Sequence, residues 1–274
     1  MGQTFLADAT VARNIVEAAD INERDVVLEI GGGLGILTRW LVRSAKRVFV
    51  IEISRQLVRA LTERFGNRDN VQIIRGDALR IPLPRANKVV SNLPYHISSE
   101  MTFRLIREVP FRLAVLMYQE EFAERLLADP GSREYSRLTV DVRYKMEVER
   151  VLHVPAEKFY PVPAVDSMVV KLQPRQRGPF AKNEDVFYWL VRGVFAYPNK
   201  TTRKAFRLWL KSLNLEGDSI DRVLAACHDH LEQAERVRHL SLETLVSIAD
   251  ILWELVEQGT LPFLGGKTSE TRGR

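Results

Sequence analysis

From Val26 to Leu172, short runs rich in β-branched residues alternate with stretches whose apolar positions recur at helical spacing. The runs Val26–Ile30, Val48–Ile53, Val71–Ile74, Lys88–Ser91, Leu113–Tyr118, Leu138–Tyr144 and Ser167–Leu172 read as strands. Between them, Leu34–Ser44, Arg55–Phe65, Ser98–Val109 and Glu120–Ala128 read as helices. Such alternation predicts a parallel sheet covered by helices. The basic segment Pro174–Pro179 carries Gly178 between its two prolines and reads as a linker. Beyond it the pattern is helical only, with helices expected near Glu184–Phe195, Thr201–Ser212, Ile220–Cys227 and Leu242–Glu257. Two domains follow: an α/β domain over residues 1–174 and a small all-helical domain over 175–274. The polar stretch Gly265–Arg274 is expected to be frayed.

Composition narrows the classes. A chain of 274 residues can bury a full core. Its formal charge of +5 suits a polyanionic partner without approaching a histone-like excess. Cys227 is the only cysteine, which excludes an intramolecular disulfide and any cysteine-rich zinc site and fits a reducing compartment. No apolar run reaches membrane-spanning length, and the N-terminus lacks a signal-peptide layout. A soluble, cytoplasmic, monomeric protein with no membrane contact is expected.

Candidate chemistry gathers at the ends of the predicted strands. Gly31, Gly32, Gly33 and Gly35 fall where the first strand turns into a helix, and glycine lets backbone approach a ligand closely. Glu52 ends the second strand, a position from which a carboxylate takes both ribose hydroxyls in a nucleotide-binding α/β fold. Asp77 ends the third, where it can accept from an adenine amine. A glycine run alone is shared by many nucleotide cofactors. The fourth strand end discriminates: Asn92-Leu93-Pro94-Tyr95 joins an amide, carbonyls and an aromatic ring. An exocyclic adenine amine is a poor nucleophile because its lone pair is delocalised into the ring. Asn92 and a backbone carbonyl beside Pro94 can accept its hydrogens, and Tyr95 can stack on the base. Proline removes a competing N–H and restricts the residue before it. Methyl transfer from S-adenosylmethionine fits this series, and no hydride-transfer constellation accompanies it. The scheme calls for no metal, and His96 is read as structural.

These residues resemble the small-subunit ribosomal RNA adenine dimethyltransferases of the KsgA type, over almost the whole chain. Gly2-Gln3-Thr4-Phe5-Leu6 is similar to the family's opening Gly-Gln-(Asn or His)-Phe-Leu. Tyr135-Ser136-Arg137-Leu138-Thr139-Val140 is close to Tyr-Gly-Arg-Leu-Ser-Val. Most specific is Phe159-Tyr160-Pro161-Val162-Pro163-Ala164-Val165-Asp166-Ser167, which resembles Phe-x-Pro-x-Pro-x-Val-x-Ser. The resemblance implies a Rossmann-like S-adenosylmethionine-dependent methyltransferase domain carrying a helical RNA- or ribosome-binding domain. It implies that Thr4, Leu6, Gly31, Gly33, Glu52, Asp77 and Asn92 contact the cofactor or lie beside it, and that Tyr95 and Phe159 sandwich a flipped adenine. The implied substrate is small-subunit rRNA in an immature subunit, dimethylated at N6 of two adjacent adenosines near the 3′ end. Thr4 departs from the pattern by replacing a longer polar residue, and no basic arm precedes the motif.

For the RNA partner, Lys200, Arg203, Lys204, Arg207 and Lys211 fall on one stripe of a predicted helix. The segment Arg175–Arg274 as a whole holds 15 Lys and Arg against 13 Asp and Glu, so the stripe is a local feature. A second basic patch is expected at Arg104, Arg107 and Arg112. Two other functions fit part of this picture: a resistance-type methyltransferase of large-subunit rRNA, and a non-catalytic ribosome-assembly factor.

Overall fold

Six of the seven apolar runs fold as strands in the computed structural model, which describes residues 4–232 and 235–263. Gly2 and Gln3 of the opening motif and the polar stretch 265–274 lie outside the described residues. The strands are β1 (Phe5–Leu6), β2 (Val26–Ile30), β3 (Arg47–Glu52), β4 (Val71–Arg75), β5 (Lys88–Asn92), β6 (Leu113–Gln119), β7 (Met146–Val154), β8 (Phe159–Tyr160) and β9 (Ser167–Pro174). The helices are α1 (Ala9–Ala18), α2 (Thr38–Ser44), α3 (Arg55–Phe65), α4 (Ser98–Glu108), α5 (Glu120–Leu127), α6 (Arg137–Lys145), α7 (Glu184–Val194), α8 (Thr202–Ser212), α9 (Asp218–Ala226), α10 (His228–Leu231) and α11 (Leu242–Glu257).

The chain forms two compact units. One comprises residues 1–127 and 145–175, the other 128–144 and 176–274. Set against the sequence expectation of 1–174 and 175–274, the segment 128–144 joins the helical unit and Arg175 stays with the sheet unit.

The sheet unit holds seven strands in the order β4-β3-β2-β5-β6-β9-β7. The pairs among β2 to β6 are parallel, and β9 runs antiparallel between β6 and β7. β6 is an interior strand and reads Leu-Ala-Val-Leu-Met-Tyr over 113–118, all buried, as a strand covered on both faces requires. Two helices of this unit start on local caps: Asp8 accepts from the N–H groups of Thr10 (2.8 Å) and Val11 (3.1 Å) at α1, and Ser54 caps α3. Chain order reverses between β2 and β5, so their carboxyl ends flank the topological switch point, where α/β sheets take ligands.

The helical unit packs α7, α8, α9 and α11 around Phe187, Leu190, Phe206, Leu224 and Leu245. The expected strand Leu138–Tyr144 is instead most of α6. Its Thr, Val and Tyr content favours a strand, but Val140 and Tyr144, four apart, both enter the helical core, and Ser136 accepts from Val140 N–H at 3.1 Å. Packing has overridden β-propensity here. No described helix is long and apolar enough to cross a membrane.

Candidate active site

Three glycines, Gly31, Gly33 and Gly35, adopt positive φ of 74°, 54° and 78°, which turns the chain sharply between β2 and α2. Gly31 N–H donates to Ile51 O (2.8 Å), tying the turn to β3. A Cβ on Gly31 would lie 3.4 Å from the Pro94 ring, so the glycine turn rests on the Asn92–Tyr95 motif. On the far side, a Cβ on Gly33 would lie 3.3 Å from the Phe5 ring. The turn is thus held between the chain's opening motif and the end of β5.

Glu52, at the end of β3, is only 2 % exposed, not the solvated charge a strand end often carries. It accepts from Gly33 N–H (3.0 Å) and Ser54 N–H (2.8 Å), which aims its carboxylate at the glycine turn. The next residue, Ile53, is 64 % exposed. Sequence reasoning missed it; an isoleucine directly after a strand-end acid, in a segment that must reverse, was the available signal. Asp77 follows β4, and its Oδ1 accepts from Leu79 N–H (2.9 Å), a turn-capping geometry, while Arg80 lies 3.3 Å from Oδ2. Glu52 and Asp77 with the apolar plate of Ile53 can hold a nucleoside, which fits an adenosyl cofactor.

Asn92 ends β5, and Leu93 N–H donates to Met117 O at 3.2 Å, so the motif leaves the sheet from a fixed point. Pro94 O accepts from Ile97 N–H (3.1 Å). The Tyr95 hydroxyl lies 2.8 Å from Ser167 Oγ and also bonds Thr4. Burial raises its pKa, with these two bonds acting in the opposite direction, so it stays a neutral phenol. Thr4, Tyr95 and Ser167, drawn from three separate motifs, therefore meet.

Behind the site, Glu29 in β2 is fully buried and accepts from Thr38 Oγ1 at 2.7 Å. Burial pushes its carboxyl up to about 8, partly countered by Thr38 and reinforced by the charge of Glu52.

The opening motif and the Phe159–Ser167 element also meet. β1 and β8 pair antiparallel, with Phe5 opposite Tyr160 and Leu6 opposite Phe159. Lys158 Nζ reaches Asp8 at 2.8 Å beside this ribbon. Phe159, expected to stack on the target adenine, is 2 % exposed here and packed in the same core as Leu6. Alternation along β8 explains this, since facing Phe159 inward turns Tyr160 outward.

In the helical unit, α8 exposes Arg203, Lys204, Arg207 and Lys211 and buries Ala205, Phe206, Trp209 and Leu210, with Lys200 exposed in the preceding turn. Arg207 is engaged by Asp221 at 3.0 Å. The second basic patch does not assemble. Arg104 donates to Ala78 O and to Ile81 O (2.8 Å) and pairs with Glu108, and Arg107 also pairs with Glu108. Arg112 pairs with Asp25 at the opposite, amino edge of the sheet.

A doubly wound sheet with a glycine turn, strand-end acids and an Asn-Leu-Pro-Tyr motif at its switch point defines a methyltransferase that uses S-adenosylmethionine. Residues 1–252 match the ribosomal RNA adenine dimethylase family, and the chain belongs to that family. A probable ribosomal RNA small subunit methyltransferase A of Methanosarcina mazei is 43 % identical over 253 residues, 92 % of each chain. A relative of the same description from Methanococcus maripaludis is 38 % identical, covering 93 % of this chain and 97 % of its own. Among solved structures, a dimethyladenosine transferase from Plasmodium falciparum aligns with a TM-score of 0.80 at 33 % identity, over 93 % of this chain and 98 % of that one. The 23S rRNA methyltransferase ErmE aligns with a TM-score of 0.69 at 26 % identity, over 90 % and 99 %.

Proposed function

We propose that the protein dimethylates N6 of adenosines in small-subunit ribosomal RNA, two adjacent ones near the 3′ end, within an immature subunit and acting as a monomer. The observation that carries this is the seating of the Asn92–Tyr95 motif against the glycine turn, which brings an amine-holding group to a nucleoside-holding edge. The names of the relatives, small subunit methyltransferase A in each case, favour small- over large-subunit RNA.

S-adenosylmethionine, when bound, supplies a methyl group made electrophilic by its sulfonium. Gly31, Gly33, Glu52 and Asp77, with Ile53 as an apolar plate, would form its nucleoside site, Thr4 and Asn92 would border it, and Leu6, packed in the core, would anchor the strand that carries Phe5 to the glycine turn. The Asn92 side-chain oxygen and a main-chain carbonyl accept the two amine hydrogens and turn the nitrogen lone pair out of the ring plane. Of the two candidate carbonyls, Pro94 O already accepts from Ile97 N–H, which favours Leu93 O. Tyr95, its hydroxyl fixed, offers a flat face to the base. In the ligand-free chain Phe159 anchors the β1–β8 ribbon from within the core. With the amine held this way, N6 would take the methyl group in exchange for the methyl–sulfur bond, and its surplus proton, now acidic, would leave to water. One hydrogen remains for an acceptor in the second round. Alignment of this kind contributes about 7–11 kcal/mol in well-oriented cases. The stripe Lys200, Arg203, Lys204, Arg207 and Lys211 meets RNA phosphates.

Labelled S-adenosylmethionine with undermethylated small subunits, naked small-subunit rRNA and large subunits tests this. Dimethyladenosine confined to small-subunit RNA is expected, with Asn92→Ala lowering turnover by about 100- to 1000-fold, the scale of removing one oriented polar group. Label in large-subunit RNA would point to the resistance-type activity. Cofactor binding without transfer to any RNA would point to an assembly factor.

A further inference from the structure

From the last residue of β8 to the start of β9, a short segment holds three large apolar side chains in water: Tyr160 is 75 % exposed, Val162 64 % and Val165 45 %. Both of its feet are fixed. At one, Phe159 is buried and paired with Leu6. At the other, Ser167 pairs with Gln119 and Val154 and holds the Tyr95 hydroxyl at 2.8 Å. Asp166, just before it, accepts from Ala156 N–H (2.9 Å) and lies 3.1 Å from His153 Nε2. The three exposed side chains are therefore displayed by a braced segment, and large apolar side chains held in water on a fixed segment point to a contact site.

The register says which way it faces. Residues directly opposite in an antiparallel pair share a face, so Tyr160 stands beside Phe5, whose ring touches the glycine turn. Leu6 and Phe159 occupy the other, core-facing side. Tyr160 thus belongs to the side of the ribbon that looks toward the reacting edge.

We propose that Tyr160, with Val162 and Val165 on the same segment, forms a stacking platform for an unpaired RNA base adjacent to the target adenine. This rests on the RNA adenine methylation proposed above. Extracting a base from its stack leaves its neighbour with one face uncovered. Aromatic side chains cover such faces, and they do so for any base because each has a π-face. Tyr160 is the aromatic placed to do this, since Phe159 is enclosed and Tyr95 is committed to the target. The site takes a nucleobase, contributes to substrate affinity, and leaves the chemical step alone.

Steady-state methylation of undermethylated small subunits by the full chain, compared with Tyr160→Ala and Tyr160→Phe, tests the platform. Tyr160→Ala should raise KM for the RNA substrate by roughly 5- to 150-fold, the range for loss of one base stack. Its kcat and its affinity for S-adenosylmethionine should stay within about two-fold, and Tyr160→Phe should restore KM because it keeps the ring. A short RNA carrying 2-aminopurine beside the target adenosine should show fluorescence quenching with wild type and Tyr160→Phe and none with Tyr160→Ala. An unchanged KM in Tyr160→Ala, with wild type active, would overturn the platform while leaving the methylation proposal intact; it would also direct the search toward a protein partner for this surface. No transfer by wild type to any RNA would overturn both.

Discussion

Glu29 shows how one buried group ties stability to pH. Its carboxyl, ordinarily near 4.5, is raised by burial to about 8. The folded state therefore holds this proton where the unfolded state has released it, and stability falls as pH rises from about 4.5 to 8. Above that window both states are ionised and the burial penalty is complete. Glu29→Gln keeps an acceptor for Thr38 and removes the charge. Thermal melts of the two proteins should nearly coincide at pH 5 and separate by pH 8.5, the variant being more stable by on the order of 3 kcal/mol. A constant difference across that range would contradict the assignment. Asp25 behaves in the opposite sense: despite burial, Lys88, Arg112 and Asn87 around it hold its carboxyl below the usual range, so it stays ionised.

At the scale of elements, α7 and α8 meet through a glycine. A Cβ on Gly193 of α7 would lie 2.0 Å from the Trp209 indole of α8, so the ring packs directly on backbone. Alanine is the better helix former by about 1 kcal/mol, yet here its methyl group would overlap a buried indole. Gly193→Ala should lower stability by about 1–3 kcal/mol, the usual cost of overpacking. Adding Trp209→Phe should recover part of that loss in chemical denaturation. What could be read from sequence follows the same logic of local against distant causes. β2, α3 and α11 match their expected bounds because hydrophobic period and caps lie within the segment. β1 and β8, two residues each, exist only through each other and have no period to detect. α6 reads as a strand in the sequence because the core that selects helix comes largely from residues forty or more positions later. Gly31, Glu52 and Asn92 were legible as strand-end chemistry. Tyr160 was not, because exposure of an apolar side chain is a property of the folded chain; Ile53 left only its place after a strand-end acid as a signal.

For the whole molecule, charge is the relevant quantity. The net value of +5 is small, so RNA affinity depends on where cations are left unmatched. In α8, Arg207 is partly neutralised by Asp221, whereas Lys204 is exposed on the same face with no comparable ion pair among those described. Measuring RNA affinity across a salt series, Lys204→Gln should reduce the slope of log K against log salt by about 0.7–0.9, one phosphate contact. Arg207→Gln should reduce it by less. Equal slopes for wild type and Lys204→Gln would remove α8 from the RNA surface.

The path of the chain between the units also constrains how such an enzyme can be recombined. Residues 128–144 join the helical unit before β7 and β9 have been laid into the sheet, so neither unit is one continuous stretch. A hybrid built with a relative's helical unit by a single crossover near 174 would inherit a mismatched α6, with Val140 and Tyr144 facing a foreign core. Lineages exchanging this unit must exchange two pieces of gene together, which favours its divergence in place alongside the sheet over its transfer as a module.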